Sequence, residues 1–369
     1  MNILALTKRQ YTNKDLIDDK YGRIRELLRE LGYLGYRIKG LCLSYADKPE
    51  GPFQDETVEW FSLNITFFKI SGMFKFLYKA NKMARQSELI FASSDSIYTI
   101  IGYIIARLRN IPVIIDLYDN YEYFLLGRLP LVRQLFHWAV KKSDAVICVS
   151  KPLANRIQSI RKRPGVTVIE NATDLNLFKP MKKMECRRSL GLPEQGTFIG
   201  TAGAIHANRG SEALFDAFNQ LAETTPELKL ILAGKWDSSI PKKNDNRICY
   251  LGELQHNQVP LLINSLDVAV ICNIDNEFGR YCFPQKAYEI LACKIPLAVA
   301  DVGSMSEMFN DDSLHLYKPH DVNSLIQCIK YNLKKRESPH LEPRTWKDAS
   351  KKMDQVIQKV RFLEAGITK

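Results

Sequence analysis

The sequence predicts an α/β protein of two doubly wound, parallel-sheet domains. Three observations predict it. Short, continuously apolar runs alternate with helix-like stretches throughout the chain, as expected of parallel strands covered on both faces. At 369 residues, two domains are the natural expectation. Near Leu177–Gln195 lies a polar, basic, Pro/Gly-punctuated segment with no strand, PMKKMECRRSLGLPEQG, which reads as a boundary.

Taken in order, the first half offers strands at Asn2–Thr7, Tyr36–Leu43, Leu89–Ala92, Pro112–Leu117, Ala145–Ser150 and Val166–Glu170. The second half offers Thr197–Ala202, Leu228–Ala233, Ile248–Leu251, Asp267–Cys272, Pro296–Asp301 and Leu314–Leu316. The domains are expected at residues 1–178 and 179–344, followed by a tail at 345–369. In that tail Trp346, Ala349, Met353, Ile357 and Val360 recur at helical spacing, predicting a helix over Thr345–Leu363. Ligands of such folds bind outside the carboxyl ends of the strands, and the cleft between the domains is the expected site.

Composition is that of a soluble globular protein, 46% hydrophobic and 25% charged. The eight cysteines are scattered, and none forms a C-x-x-C pair. They read as buried free thiols of a reducing compartment, not as a zinc site. The opening MNILALT is followed at once by Lys8 and Arg9, which fits a first strand better than a signal peptide. No run reaches the length of a membrane span. A cytoplasmic location, with peripheral attachment to the cytosolic face of a membrane as an option, is the expectation. The net charge of +11 is uneven, +9 in residues 1–180 and +2 in the rest. An acidic partner for the first half follows: anionic lipid or nucleic acid.

Residues 277–303, EFGRYCFPQKAYEILACKIPLAVADVG, carry the most chemistry. Pro284 suits a first helical position. Lys286 then falls in the first turn, where a cation opposes the helix dipole unless an anion sits there. Glu289 follows three residues on, on the same face. The pair would either grip a phosphate and a hydroxyl-rich neighbour or form a plain surface ion pair. Arg209 repeats the placement: it precedes Gly210 and a helix with Ser211 as its expected cap and Leu214, Phe218 and Leu221 as its buried stripe. Two cations on loops after two different strands fit one shared anion.

The chain resembles glycosyltransferases of the GT-B fold, most closely glycosyltransferase family four. GAIHANRGSEALFDAF, LKLILAGKWD, YLGELQHNQVPLLINSLDVAVIC and FPQKAYEILACKIPLAVADVGSMSEMF carry the resemblance in the second half. In the first half it lies in PVIIDLYDNYE, SDAVICVSKPLANRI and VIENATDLNLFKP. It implies transfer of a sugar from a nucleotide diphosphate sugar with retention at the anomeric carbon. The donor would sit on the second domain and the acceptor on the first, with the final helix crossing back.

By this resemblance Arg209 and Lys286 would hold the diphosphate as catalytic cations, with Gly203 allowing close backbone approach. Glu289 would hold the ribose. The family's usual arginine after the glycine is Ala204 here, and its first paired glutamate is Tyr281. Glu277 is the candidate replacement, and Phe283 completes the expected donor set. Pro284 matches a variant P-x-K-x-x-E branch. On the acceptor side Tyr118 stands where many relatives have histidine. Asp119 would orient or deprotonate the acceptor hydroxyl, or else simply form a turn. Glu122, Asp19, Tyr21, Gly22 and Arg23 are further acceptor-side candidates. Neither a D-x-D metal pattern nor a nucleophile stands out, so the expected metal set is none and the expected cofactor none beyond the donor.

The stretch FFKISGMFKFLYKANKMAR reads as a helix with Ile70, Met73, Phe74 and Leu77 on one face and Lys75, Lys79 and Lys82 on another. It would either lie on an anionic membrane or pack on its own sheet with the lysines solvated. With the RKR run at Arg161–Arg163 it makes a lipid-linked acceptor the expectation. The resemblance itself implies a glycan or lipid-linked acceptor and a role in surface polysaccharide synthesis such as lipopolysaccharide, capsule or exopolysaccharide. A catalytically silent sugar-nucleotide binder is the alternative. Nucleic acid is not expected as a partner, because no recognition helix, zinc spacing or stacking motif is present.

Overall fold

The structure, a computed structural model, describes residues 1–11, 14–65, 71–241 and 244–364. It divides into two compact units, Met1–Asn171 with Trp346–Lys369, and Ala172–Thr345. The first ends earlier than the expected boundary after residue 178, because the chain from Ala172 onward already pairs within the second unit. There Thr173 donates its N–H to Arg344 and bridges to Thr345.

In the first unit the chain runs β1 (Asn2–Lys8), a two-stranded hairpin β2 (Gln10–Tyr11) and β3 (Lys14–Asp15), α1 (Arg23–Tyr33), β4 (Arg37–Ser44), β5 (Gly51–Asp55) and β6 (Val58–Asn64). It continues with α2 (Ser71–Ala84), β7 (Leu89–Ser93), α3 (Ser96–Arg109), β8 (Val113–Leu117), α4 (Pro130–Lys142), β9 (Ala145–Cys148), α5 (Lys151–Arg161) and β10 (Val166–Val168). The sheet order is β10-β9-β8-β7-β1-β4-β6-β5. All pairs are parallel except the antiparallel edge strand β5. The order reverses between β1 and β7, the switch point where doubly wound sheets open a crevice.

Strands β5 and β6 were not anticipated. In β6 the apolar residues are interrupted (Val58 and Trp60 buried, Glu59 exposed), so a reading keyed to unbroken apolar runs passes over it. A half-solvated edge shows as alternation instead.

The second unit runs α6 (Lys183–Ser189), β11 (Thr197–Ala202), α7 (Ser211–Thr224), β12 (Leu228–Ala233), β13 (Ile248–Tyr250), α8 (Val259–Ser265) and β14 (Val268–Ile271). Then come α9 (Lys286–Ala292), β15 (Leu297–Ala300), α10 (Ser304–Met308), β16 (Leu316–Tyr317) and α11 (Val322–Lys335). Its wholly parallel sheet has the order β13-β12-β11-β14-β15-β16. The order reverses between β11 and β14. Leu214, Phe218 and Leu221 of α7 pack with Leu325 and Ile329 of α11 and with Leu230, Val268 and Ala298 of the sheet into one core. The expected α7 stripe is thus the buried one.

The last helix, α12 (Trp346–Glu364), belongs to the first unit and packs on α1. Trp346, Ala349, Met353, Ile357 and Val360 are all buried. Tyr36 donates to Asp354 at 2.5 Å. Burial and that carboxylate push the Tyr36 phenol up to about 12.

Two sequence expectations change in the first unit, and a third, at Ile70, lies outside the described residues. Helix α2 seats itself through Gly72, Phe76, Ala80 and Ala84, so Phe74 and Tyr78 point outward. Arg161, expected in a surface basic run, is buried. It donates to the carbonyls of Val140, Ser143, Asp144 and Pro164, tying off the end of α4. The eight cysteines are free, seven of them buried and Cys249 half-buried. No helix among the described residues is long and apolar enough to cross a membrane.

Candidate active site

In the second unit two loops leave the carboxyl ends of β11 and β14, the strands flanking the switch point. The first begins at Gly203, whose φ of 125° is open to glycine. Its N–H is held by Ala233, and the carbonyl of Gly203 would lie 2.1 Å from a Cβ at Gly234. Two glycines thus let two loops lie backbone on backbone.

The second loop, residues 272–285, is built by its own asparagines. Asn273 is buried; its carbonyl oxygen accepts the N–H of Ile274 at 3.0 Å and its amide reaches the Gly279 carbonyl at 3.3 Å. Asn276 caps Phe278 and Gly279 and reaches across to the Asn208 carbonyl at 3.5 Å. A methyl at Gly279 would strike the Ile274 carbonyl, at 2.0 Å, and one at Gly303 the Arg280 carbonyl, at 2.4 Å. Phe278 joins the loops, with the Arg209 guanidinium 3.9 Å above its ring. Sequence reasoning did not pick out Phe278, Asn273 or Asn276. Their signal was only that an aromatic and two amides fall in a loop following a buried strand.

Lys286 opens α9. Its ammonium lies 3.4 Å from both Thr201 Oγ1 and the Ala202 carbonyl. A Cβ at Gly203 would sit 3.6 Å from its Nζ. The lysine therefore crosses from one loop to the strand end beneath the other. Loss of hydration pushes its pKa down, and the charge of Arg209 pushes the same way. Two cations converge where the sequence predicted a shared anion.

Glu289 is buried and accepts from Gln285 Nε2 at 3.0 Å, so it is no surface partner of Lys286. Burial pushes its pKa up to about 7, against smaller downward pulls from Gln285 and Lys286. Pro284 does not open the helix; it precedes the cap residue Gln285. Ser211 is not the cap of α7 either. Gly210 stands there, and the Ser211 hydroxyl accepts the His206 N–H at 3.1 Å. Phe283 is buried against Tyr288, ring centroids 5.1 Å apart. Tyr281 is half-buried, Glu277 and Ala204 exposed.

The Glu289 shift has a consequence for stability. Between pH 4.5 and about 7 the folded state keeps a proton that the unfolded chain has released, so stability falls as pH rises through that window. The effect amounts to about 3 kcal/mol. Melting curves of wild type and Glu289→Gln across this range should diverge, the wild type losing relative stability toward pH 7. Parallel curves would contradict the assignment.

In the first unit Tyr11 links two acceptor-side candidates. Its ring lies 6.3 Å from that of Tyr21 and 4.9 Å from that of Tyr118, and a Cβ at Gly22 would meet it at 3.2 Å. The Tyr118 hydroxyl donates to the Ser94 carbonyl at 3.0 Å, and burial raises its pKa. Ser94, missed in the sequence reading, follows β7 at this unit's switch point with a φ of 101°. Such strain in a non-glycine residue collects at functional sites.

Asp119 accepts the N–H of Asn120 at 2.8 Å. Glu122 is turned toward the helix layer, toward His137 at 2.7 Å and Arg156 at 2.9 Å. Asp19 accepts the Asp15 N–H at 2.7 Å. Arg23 is not available to an acceptor. It is fully buried and paired with Asp116 at 2.9 Å, with further bonds to Glu170 O and Asn171. Among the described residues no three His, Cys, Asp or Glu gather as a metal-ligand set.

Residues 23–177 match the model of Glycosyltransferase Family 4, and residues 182–357 that of Glycosyl transferases group 1. The chain is 26% identical over 187 residues to a lipopolysaccharide core biosynthesis mannosyltransferase, LpsB, of Rhizobium meliloti, covering 47% of this chain and 50% of that one. It is also 26% identical over 201 residues to a D-inositol 3-phosphate glycosyltransferase of Stackebrandtia nassauensis, covering 49% and 44%. The chain thus spans about half the length of these curated relatives.

Sucrose-phosphate synthase of Thermosynechococcus elongatus shares the fold at a TM-score of 0.75 and 17% identity, over 97% of this chain and 98% of that one. Anabaena HepE in complex with UDP shares it at 0.68 and 18%, over the full length of both. The order of strands, the two family matches and these shared folds lead to one conclusion: the chain belongs to the GT-B glycosyltransferases, of the kind gathered in glycosyltransferase family four.

Proposed function

We propose that this protein transfers a sugar, with retention and without a metal, from a nucleotide diphosphate sugar to a glycan or lipid-linked acceptor. The observation that carries the reading is the approach of Lys286, beside the Gly203 backbone, to the charge of Arg209, with the buried Glu289 one helical turn from Lys286. Two cations in a desolvated site stabilise a departing diphosphate, because charge developed there is not screened by water. Glu289, once ionised, accepts hydrogen bonds from the ribose hydroxyls. The leaving phosphate oxygen takes the acceptor proton as the new glycosidic bond forms. The acceptor is held on the first unit around Tyr21, Gly22, Tyr118 and Asp119. The relative named for lipopolysaccharide core biosynthesis supports a role in surface polysaccharide synthesis, and the fold neighbour complexed with UDP supports a nucleotide-sugar donor. The reading places the reaction on the cytosolic side of an anionic membrane.

The test is a melting-temperature screen against UDP, GDP, ADP, CDP and dTDP, with and without EDTA and repeated with Glu289→Ala. Ligands that bind only the folded state raise the melting temperature. One nucleotide should raise it in wild type and not in the variant. No shift with any nucleotide would sink the donor assignment.

A further inference from the structure

Helices α2, α3 and α4 form one layer: α3 packs against both α2 and α4. Not one of the three contains an aspartate or glutamate. Their cations are Lys75, Lys79 and Lys82 on α2, Arg107 and Arg109 on α3, and Arg133, Lys141 and Lys142 on α4. The nearby carboxylates are already engaged. Asp144 pairs with Arg107 at 2.5 Å, and Glu122 with Arg156 and His137. Lys79 lies 3.6 Å over the Phe61 ring, so the exposed cations of the layer that carry its charge are Lys75, Lys82, Arg133, Lys141 and Lys142.

The same layer turns large apolar side chains outward. Phe74 and Tyr78, one turn apart on α2, are 67% and 72% exposed. Ile104 and Leu108 repeat the spacing on α3. On α4 Leu131, Leu135 and Trp138 form an exposed stripe at i, i+4 and i+7, while Phe136, Ala139 and Val140 serve the core. Three neighbouring helices repeating this arrangement make a broad patch, well beyond the scattered exposed apolar residues of an ordinary surface.

We propose that the outward face of α2, α3 and α4 lies on an anionic lipid bilayer. Charge complementarity selects this occupant. A second copy docking face to face would set lysines and arginines against their own kind, whereas anionic headgroups neutralise them. The apolar side chains enter the headgroup–acyl boundary, and Trp138 suits that depth. This rests on the proposed function in naming the surface that brings a lipid-linked acceptor near, but it is read without sugar transfer.

The experiment is co-sedimentation of the full chain with vesicles of phosphatidylcholine alone and of phosphatidylcholine mixed with phosphatidylglycerol. Nucleotide binding is measured on every variant as a check of the fold. Wild type should bind the mixed vesicles, bind neutral ones weakly and release with salt. Its tryptophan emission should shift to the blue, since Trp138 at 43% exposed is far more open than Trp60 or Trp346. The fourth tryptophan, the half-buried Trp236, belongs to the second unit and not to this layer. Lys141→Glu with Lys142→Glu should lower partitioning by about tenfold or more, and Leu131→Ser with Leu135→Ser should lower it even at low salt.

Absence of vesicle binding by protein that still binds nucleotide overturns the surface alone. So does binding untouched by both double variants, or a lipid-free dimer that the Leu131→Ser, Leu135→Ser variant dissolves. Vesicle binding that follows the expected pattern in protein that binds no nucleotide supports the surface and sinks the donor assignment instead.

Discussion

Alanine at position 286 is expected to lower kcat for sugar transfer by about 10²–10³-fold while leaving the melting temperature level or higher. The ammonium of Lys286 has lost hydration and, among the described residues, its hydrogen bonds go to the Thr201 hydroxyl and the Ala202 carbonyl, both long at 3.4 Å. Holding it there costs the ligand-free fold, and the lowered pKa expresses that cost. The return comes when a diphosphate supplies the missing negative charge. Arg209→Ala should lose a comparable factor. The double variant should lose less than the product of the two, because both cations act on one leaving group. Steady-state turnover with melting curves checks this. Full turnover in both single variants would mean that the diphosphate binds elsewhere.

The second large effect concerns the fold. Asp116→Ala should cost about 3–5 kcal/mol, because it strands a buried guanidinium. Arg23 and Asp116 are both fully buried. Arg23 reaches Asp116 from the first residue of α1, and Ser93 Oγ adds a bond to the same carboxylate at 2.9 Å. Denaturant midpoints measure the loss. Arg23→Met combined with Asp116→Ala should recover part of it, since no unpaired charge then remains. If Asp116→Ala is as stable as wild type, the pair is not what joins α1 to β8.

These two sites show what was legible beforehand. Strands buried on both faces announce themselves as unbroken apolar runs, so β1, β8, β11 and β12 were readable almost to the residue. The edge hairpin was not, because half-solvated strands dilute that signal. Lys286 and Glu289 could be picked out because helical spacing and a resemblance converged on them. Arg23 and Arg161 misled, since a sequence shows a charge but not the carboxylate or carbonyls that draw it inward. The link between Arg209 and Phe278 depends on two loops far apart in the chain meeting at a switch point, which no local pattern encodes.

The loop that carries Phe278 also bears on redesign. Gly279 and Gly303 sit where any side chain would collide with a backbone carbonyl, so they act as fixed rivets. Between them and the asparagine staples, Asp275, Glu277 and Arg280 are exposed and Tyr281 half-exposed. A randomised library aimed at a new donor preference should therefore vary those four positions and leave the rivets untouched. Most of its members should still fold, and selection would then act on specificity instead of on survival of the scaffold.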